Sequence, residues 1–278
     1  MRVAAGRSGG DIVLCGKGEL HLQIICDRIV RECKIEIDVG ELKVIYLETI
    51  RQHGEAEGKY IRPAGGHGQY AHVKLRLEPR DQESGYEFVD EIKNRAVPPE
   101  FVESVNLGIQ EAMKGGILAG HEMVDLRAVL YDGSYHVEDS NEMAFKIASS
   151  MAFKEAARKA SPVVLEPFMS IEVITPENFV GAIMGDLSLR RGWIEGMESR
   201  AGSPLIRATV PLATMIGYAK HLRSITQGRA EYSMNFSRYE AAPRHGESGG
   251  DEAGVTARKP TGPSAGSGFA AAQWDEAS

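Results

Sequence analysis

Met169-Ser170-Ile171-Glu172-Val173-Ile174-Thr175-Pro176 opens the part of the chain whose reading decides the fold. Apolar Met169, Ile171 and Val173 alternate with polar Ser170 and Glu172, the period of a half-buried strand. Pro176 suits the first turn of a helix, because its missing N–H has no partner there anyway, and that helix is expected to run through Leu187. A hairpin is expected around Arg200 to Ser203. A helix bearing Leu212, Met215, Ile216, Ala219 and Leu222 follows and stops at Gly228, and Glu231 to Tyr239 closes the segment as a strand alternating Tyr232, Met234 and Phe236. Residues 166–240 therefore read strand, helix, strand, strand, helix, strand, which is the ferredoxin-like order. Many unrelated activities use this fold, so function must be sought in particular residues.

Working towards the amino terminus, Lys43 to Pro162 forms a larger unit with strands expected at 43–52, 70–79 and 85–92. The second places Val73, Leu75 and Leu77 on one face and Lys74, Arg76 and Glu78 on the other. Pro98 to Gly116 puts Val102, Val105, Ile109 and Met113 on one helical face and stops at Gly115-Gly116. Val124, Leu126, Ala128 and Leu130 alternate in a further strand, and Tyr131 to Glu138 reads as a loop. A second helix should start near Asp139 or Ser140, with Glu142 placed for a capping box, and present Met143, Ile147 and Met151 with Ala144, Ala148 and Ala152 before ending at Ser161-Pro162.

Further upstream, Asp11 to Cys15 reads as a strand, the next stretch as a helix carrying Leu20, Ile24, Arg28 and Ile29, and Lys34 to Ile37 as a strand. One such βαβ unit cannot cover both faces of its sheet, so it reads as half of a small α+β domain, with Ile24, Ile29 and Ile35 left exposed. At the other end, the 35 residues from Arg244 to Ser278 hold 7 Gly, 7 Ala, 4 Ser and 2 Pro without periodicity, and are expected to be a disordered tail.

The whole chain has 278 residues, 42% of them hydrophobic, enough for a real core. Its 32 Lys and Arg against 39 Asp and Glu give a formal charge of −7, so any grip on nucleic acid must be local. Cys15, Cys26 and Cys33 make neither a disulfide framework nor a zinc quartet and fit a reducing cytosol. No membrane-length apolar run or signal-peptide core is present, so no membrane role is expected. A phosphate-binding loop needs a glycine five residues before Gly-Lys, and Asp11 and His53 stand there for the pairs Gly16-Lys17 and Gly58-Lys59. Ser134, His136 and Asp139 lie within six residues on one loop, where a nucleophilic triad needs its base between the other two in space. His67 with His72, and His136 with Glu138 and Asp139, lack metal-ligand spacing and read as exposed loop residues.

Two glycine-containing loops and one basic cluster remain. In Pro63-Ala64-Gly65-Gly66-His67-Gly68-Gln69-Tyr70 the three glycines allow close backbone approach to another polymer, and Gln69 offers both a donor and an acceptor. The second loop supplies Gly133 for a turn, Tyr135 as a stacking face and His136 as a donor. Both loops join sheet elements of one domain, which could bring Gln69 and His136 to the same end for RNA recognition by shape and hydrogen bonds. A plain hairpin turn and a capped helix start are the alternative readings. The basic cluster is Arg190-Arg191, with Arg200, Arg207, His221, Arg223 and Arg229 in the same domain, suited either to phosphate contacts or to a helix C-terminal dipole.

Gly16-Lys17-Gly18-Glu19-Leu20-His21-Leu22, Gly65 to Tyr70, Gly133-Ser134-Tyr135-His136 with Asp139-Ser140, Gly185-Asp186-Leu187-Ser188 with Arg190-Arg191-Gly192, and Pro211-Leu212 through Gly217-Tyr218-Ala219 to Gly228-Arg229-Ala230 together resemble bacterial translation elongation factor G. The resemblance covers residues 10–243 in the family's order and spacing. It implies an α+β chain in which residues 10–39 are the second half of a ferredoxin-like domain III. Residues 40–165 would be domain IV, a ribosomal-protein-like βαβ domain with a left-handed crossover, an exception to the usual hand. Residues 166–241 would be the ferredoxin-like domain V and 242–278 the tail. The implied function is the ribosome-binding portion of the GTP-dependent translocase, a cytoplasmic monomer. Its partners would be the ribosome (16S and 23S ribosomal RNA and ribosomal proteins) with transfer and messenger RNA at the decoding centre.

By the same resemblance, Gly65, Gly66, His67, Gly68, Gln69, Tyr135 and His136 are the RNA-contacting tip loops of domain IV. Arg190 and Arg191 lie on the ribosomal RNA face of domain V. No catalytic residue, metal or cofactor is expected on this chain; GTP and Mg²⁺ belong to the GTPase domain of the complete family, which would precede Met1. His67 stands where the family carries an arginine, and the tail replaces a closing helix expected after Ala242-Pro243, so a truncated or frameshifted product is expected. A tetracycline-releasing ribosomal protection protein, one half of a split factor and a non-functional remnant are the alternatives.

Overall fold

Residues 2–5, 12–15, 19–34, 37–39, 44–62, 68–93, 95–200, 203–243 and 268–269 are described by the computed structural model. The chain divides into two units, one comprising Tyr46–Leu165, the other Met1–Ile45 and Glu166–Ser278.

In the amino-terminal segment, β1 (Arg2–Ala5) pairs antiparallel with β2 (Ile12–Cys15), a partner not anticipated from the sequence. The expected helix follows as α1 (Glu19–Cys33), its exposed surface carrying the Arg28–Glu32 pair. It ends because Lys34 turns into the left-handed region at φ 52°. The next strand, β3, is Asp38–Val39 and not the expected Lys34–Ile37, whose Ile35 and Glu36 lie outside the described residues. Ile24 is half exposed, as expected for a helix with an incomplete partner, whereas Ile29 is only partly exposed.

Small inward residues organise Tyr46–Leu165. After β4 (Leu47–Ile50) comes β5 (Gly54–Arg62), a nine-residue strand that the hydrophobic pattern did not announce, because its buried positions are Gly54, Ala56 and Gly58. It pairs antiparallel with β6 (Gln69–Pro79), whose Val73, Leu75 and Leu77 are fully buried as the alternation predicts. Then come β7 (Tyr86–Asp90), α2 (Pro99–Lys114), β8 (Leu126–Ser134), α3 (Glu142–Lys159) and β9 (Pro162–Ile174). The sheet order is β5-β6-β8-β7, and β7 and β8 are parallel neighbours joined through α2, the βαβ crossover of the expected fold class. The first residues of β9 return beside β4, with Leu47 opposite Leu165 and Ile50 opposite Pro162.

One seam in this unit sorts the two rows of residues expected on α3. Met143 and Met151 are 57% and 47% exposed, so the methionine stripe of α3 faces outward. Ala144, Ala148, Ala152 and Ala156 face inward with Phe145 and Phe153 and are fully buried. Alanines opposite Gly54 and Gly58 let helix and strand backbones approach; a Cβ on Gly58 would run into the carbonyl of Ala148. Phe145 stacks on Phe101 at 4.7 Å between centroids, joining α3 to α2.

In the rest of the second unit, a 3₁₀ turn (Glu177–Phe179) leads into α4 (Val180–Leu189), followed by β10 (Trp193–Arg200) and β11 (Ser203–Pro211). The expected single helix from Leu212 is two pieces: a 3₁₀ turn (Leu212–Met215) and α5 (Tyr218–Ile225). They are separated at Gly217, whose φ of 74° no helix contains. β12 (Glu231–Ala241) completes the order β10-β11-β9-β12, the ferredoxin-like arrangement. Met169, Ile171, Val173, Ile183, Leu187, Ile206, Val210 and Tyr218 form its core. Most of the expected tail lies outside the described residues, but β13 (Gly268–Phe269) pairs parallel with β3. Two residues of main-chain pairing need no side-chain pattern, so composition gave no sign of them. Among the described residues no helix is long and apolar enough to cross a membrane.

Candidate nucleic-acid interface

β6 and β8 are antiparallel neighbours, so the start of one and the end of the other meet at one end of the sheet. This brings the two glycine-containing loops together. Gly68 donates its N–H to Asp139 Oδ1 at 2.8 Å, and Tyr70 N–H donates to the carbonyl of Asp139 at 2.8 Å. Ser140 Oγ donates to the carbonyl of Tyr70 at 2.8 Å while accepting from His136 N–H at 2.9 Å. Two consecutive residues thus fasten both loops. Asp139 and Ser140 are the members of the site that sequence reasoning missed, since an Asp-Ser pair before a helix reads as a cap. The cap is Asn141 instead, whose side chain accepts from Ala144 N–H at 2.9 Å, which leaves Asp139 and Ser140 for the loops.

Of the expected contact residues, Tyr135 is 46% exposed and the His136 side chain 56% exposed, both on the loop that leaves β8. The Nδ1 edge of His136 lies 3.3 Å from Asp139 Oδ2. Gln69 begins β6, and its side-chain oxygen accepts from Tyr60 on β5 at 3.2 Å. Gly68 sits against the Asp139 carboxylate; Gly65, Gly66 and His67 lie outside the described residues. The loop after β8 is shorter than expected, because Tyr131 to Ser134 continue the strand. Gly133 therefore serves close packing and not a turn: a Cβ there would stand 2.5 Å from the carbonyl of His72.

Below the loops, the Ser134 hydroxyl lies 2.8 Å from Tyr70 Oη and 3.1 Å from His72 Nδ1, and His72 Nε2 lies 3.1 Å from Glu57. Ser134 is thus engaged by Tyr70 and His72. The outward sheet face beyond neutralises itself. Lys74 pairs with Asp132 at 2.8 Å, Arg76 with Glu78 at 2.8 Å and Arg127 with Glu87 at 2.9 Å. Burial pushes the Glu78 carboxyl up, but Arg76 and Arg127 together hold it below its ordinary value. Among the described residues no cluster of three or more His, Cys, Asp or Glu could hold a metal.

In the ferredoxin-like domain, Arg190 and Arg191 are tied down by carboxylates. Arg190 Nε meets Asp186 at 3.0 Å, its guanidinium lies 5.1 Å from the Tyr218 ring centroid, and another of its nitrogens donates to the carbonyl of Thr214. Asp186 also meets His221 at 2.9 Å. Arg191, 45% exposed, forks onto Glu166, which is almost fully buried. Arg223 and Arg229 are exposed.

This is an α+β chain whose first sheet domain ends in two hydrogen-bonded loops and whose second is ferredoxin-like. Residues 42–161 match the family described as Elongation factor G, domain IV, and residues 163–248 match Elongation factor G C-terminus. The chain therefore carries two successive elongation factor G domains and is, over that length, a translation elongation factor-like C-terminal portion. The crystal structure of a protein from Thermus thermophilus is similar at 40% identity and a TM-score of 0.73, over 88% of this chain and 36% of that one. The chain thus spans about a third of the length of that protein.

Proposed function

We propose that this chain is the ribosome-binding portion of an elongation factor G-type translocase, and that the paired loops enter the small-subunit decoding centre. The observation that carries this reading is the fastening of Gly68–Tyr70 to Asp139–Ser140, 71 residues apart between Gly68 and Asp139. Main chain that is already fixed, as Gly68 and Tyr70 are to Asp139 and Ser140, meets RNA with less entropy left to lose. Messenger and transfer RNA are the partners of His136, Tyr135, Gln69 and the Gly65–Gly68 backbone. Ribosomal RNA of the large subunit is the partner of the ferredoxin-like domain. There the exposed Arg223 and Arg229 and the outer edge of Arg191 are the phosphate-facing groups, since Arg190 is occupied within the domain. The site of action is the cytoplasm. The chain acts by binding, as a monomer; GTP and Mg²⁺ act through the GTPase domain of the complete factor.

Co-sedimentation with vacant 70S ribosomes across a salt series tests this. Binding that weakens with salt and is displaced by complete elongation factor G is expected. A folded chain that stays in the supernatant at low salt would overturn the reading.

A further inference from the structure

His136 is held by its own loop through two main-chain hydrogen bonds, with a carboxylate beside its ring. Its N–H donates to Ser140 Oγ at 2.9 Å, its carbonyl accepts from Ser140 N–H at 3.0 Å, and its Nδ1 edge faces Asp139 Oδ2 at 3.3 Å. Asp139 is itself immobilised, because its other oxygen receives the Gly68 N–H and its carbonyl the Tyr70 N–H. An ionised carboxylate offers lone pairs and no proton, so a neutral ring with Nδ1 3.3 Å from it is lower in energy with its proton on that nitrogen. The opposite nitrogen, Nε2, then bears a lone pair on a half-exposed ring. Free imidazole side chains favour the other tautomer, with the proton on Nε2, so the carboxylate changes the chemistry of the ring as well as its direction.

We infer that Asp139 is a positioning residue that sets His136 in its Nδ1–H tautomer and so presents Nε2 as a hydrogen-bond acceptor to a donor group of RNA, a ribose 2′-hydroxyl or an exocyclic base amine. This rests on the ribosomal reading for its partner but not for the tautomer. It reverses the role expected from the sequence, in which His136 was a donor. An acceptor turned towards RNA is repelled by phosphate oxygens and selects hydroxyls or amines, and the 2′-hydroxyl is what separates RNA from DNA. Asp139→Asn makes the opposite arrangement: its side-chain oxygen keeps the Gly68 N–H, its NH₂ faces Nδ1, and the ring proton moves to Nε2.

The test begins with ¹⁵N-histidine NMR of the whole chain at about pH 8, where an ordinary imidazole is neutral, with His136→Ala to assign the signal. The wild-type ring should be mainly Nδ1–H and that of Asp139→Asn mainly Nε2–H. A wild-type ring mainly Nε2–H, or no change in the variant, would overturn the inference; the wild-type spectrum decides even if the variant does not fold. Binding to 70S ribosomes programmed with 2′-deoxy or amine-deleted codon and anticodon RNA then identifies the donor. One of the two substitutions should weaken wild-type binding about five-fold, the effect of one hydrogen bond, and leave Asp139→Asn binding unchanged. Wild-type binding indifferent to both would overturn the acceptor role. A wild-type Nδ1–H signal from a chain that binds no ribosome would overturn the ribosomal reading and leave the tautomer assignment standing.

Discussion

Glu48 concentrates more main-chain hydrogen bonds than any other side chain described above. It is fully buried on β4, and its two oxygens receive the N–H groups of Ile117 at 2.6 Å, Leu118 at 2.9 Å, Ala119 at 2.8 Å and His121 at 3.1 Å. Burial pushes the Glu48 carboxyl up, and the four donors more than reverse this, leaving it below its ordinary value. A depressed value in the folded chain means that the stabilisation is present above the unfolded value and is lost as pH falls through the folded one. Glu48→Gln, which sets an NH₂ among N–H donors, should cost about 2–4 kcal/mol at neutral pH. The difference from wild type should shrink below about pH 4, measured by urea unfolding at a series of pH values. Arg191 offers a second check at the same scale. Because Glu166 is buried behind it, Arg191→Ala should lower stability by about 1–3 kcal/mol, whereas an arginine serving only RNA would leave the thermal midpoint unchanged.

The seam between β5 and α3 decides how the elements of the first domain fit. Gly58→Ala forces a methyl group against the α3 backbone and should cost about 2–3 kcal/mol or more, while Met151→Gln on the outer side of the same helix should stay within about 0.5 kcal/mol. Thermal unfolding of the two variants distinguishes this packing from the reverse one. The same seam explains what the sequence hid. β6 and α2 were legible because Val73, Leu75, Leu77, Val105 and Ile109 are large and apolar in the right period. β5 was not, because glycine and alanine carry its buried face, and for α3 the sequence named both the methionine row and the alanine row without deciding which faces the sheet. The break at Gly217 was equally silent, since one glycine in a helical pattern is no clear stop. At the tip, the meeting of the two loops followed from their attachment to one sheet. The clasp did not, because nothing local marks Asp139 as a partner of Gly68. For Arg190 and Arg191, local positive charge was legible, but their carboxylates were not: Asp186 on the helix just before and Glu166 on a strand 25 residues from Arg191 become partners only through the fold.

At the scale of the whole molecule, each domain closes its own core: Tyr46–Leu165 around Leu75, Ile109, Leu130 and Phe153, the ferredoxin-like domain around Ile171, Ile183 and Val210. Residues 44–165 expressed alone should therefore unfold in one cooperative step with native near-ultraviolet circular dichroism; a non-cooperative, dye-binding state would show that the core needs the rest of the chain. The pairing of β4 with the start of β9 adds something further. The strand that leads into this domain and the strand that leads out lie side by side, Leu47 against Leu165. A module whose two ends stand one strand spacing apart, about 5 Å, asks of any host only a hairpin to interrupt. Such a module is suited to being lifted out and set into an unrelated scaffold, entering and leaving through that one pair of strands.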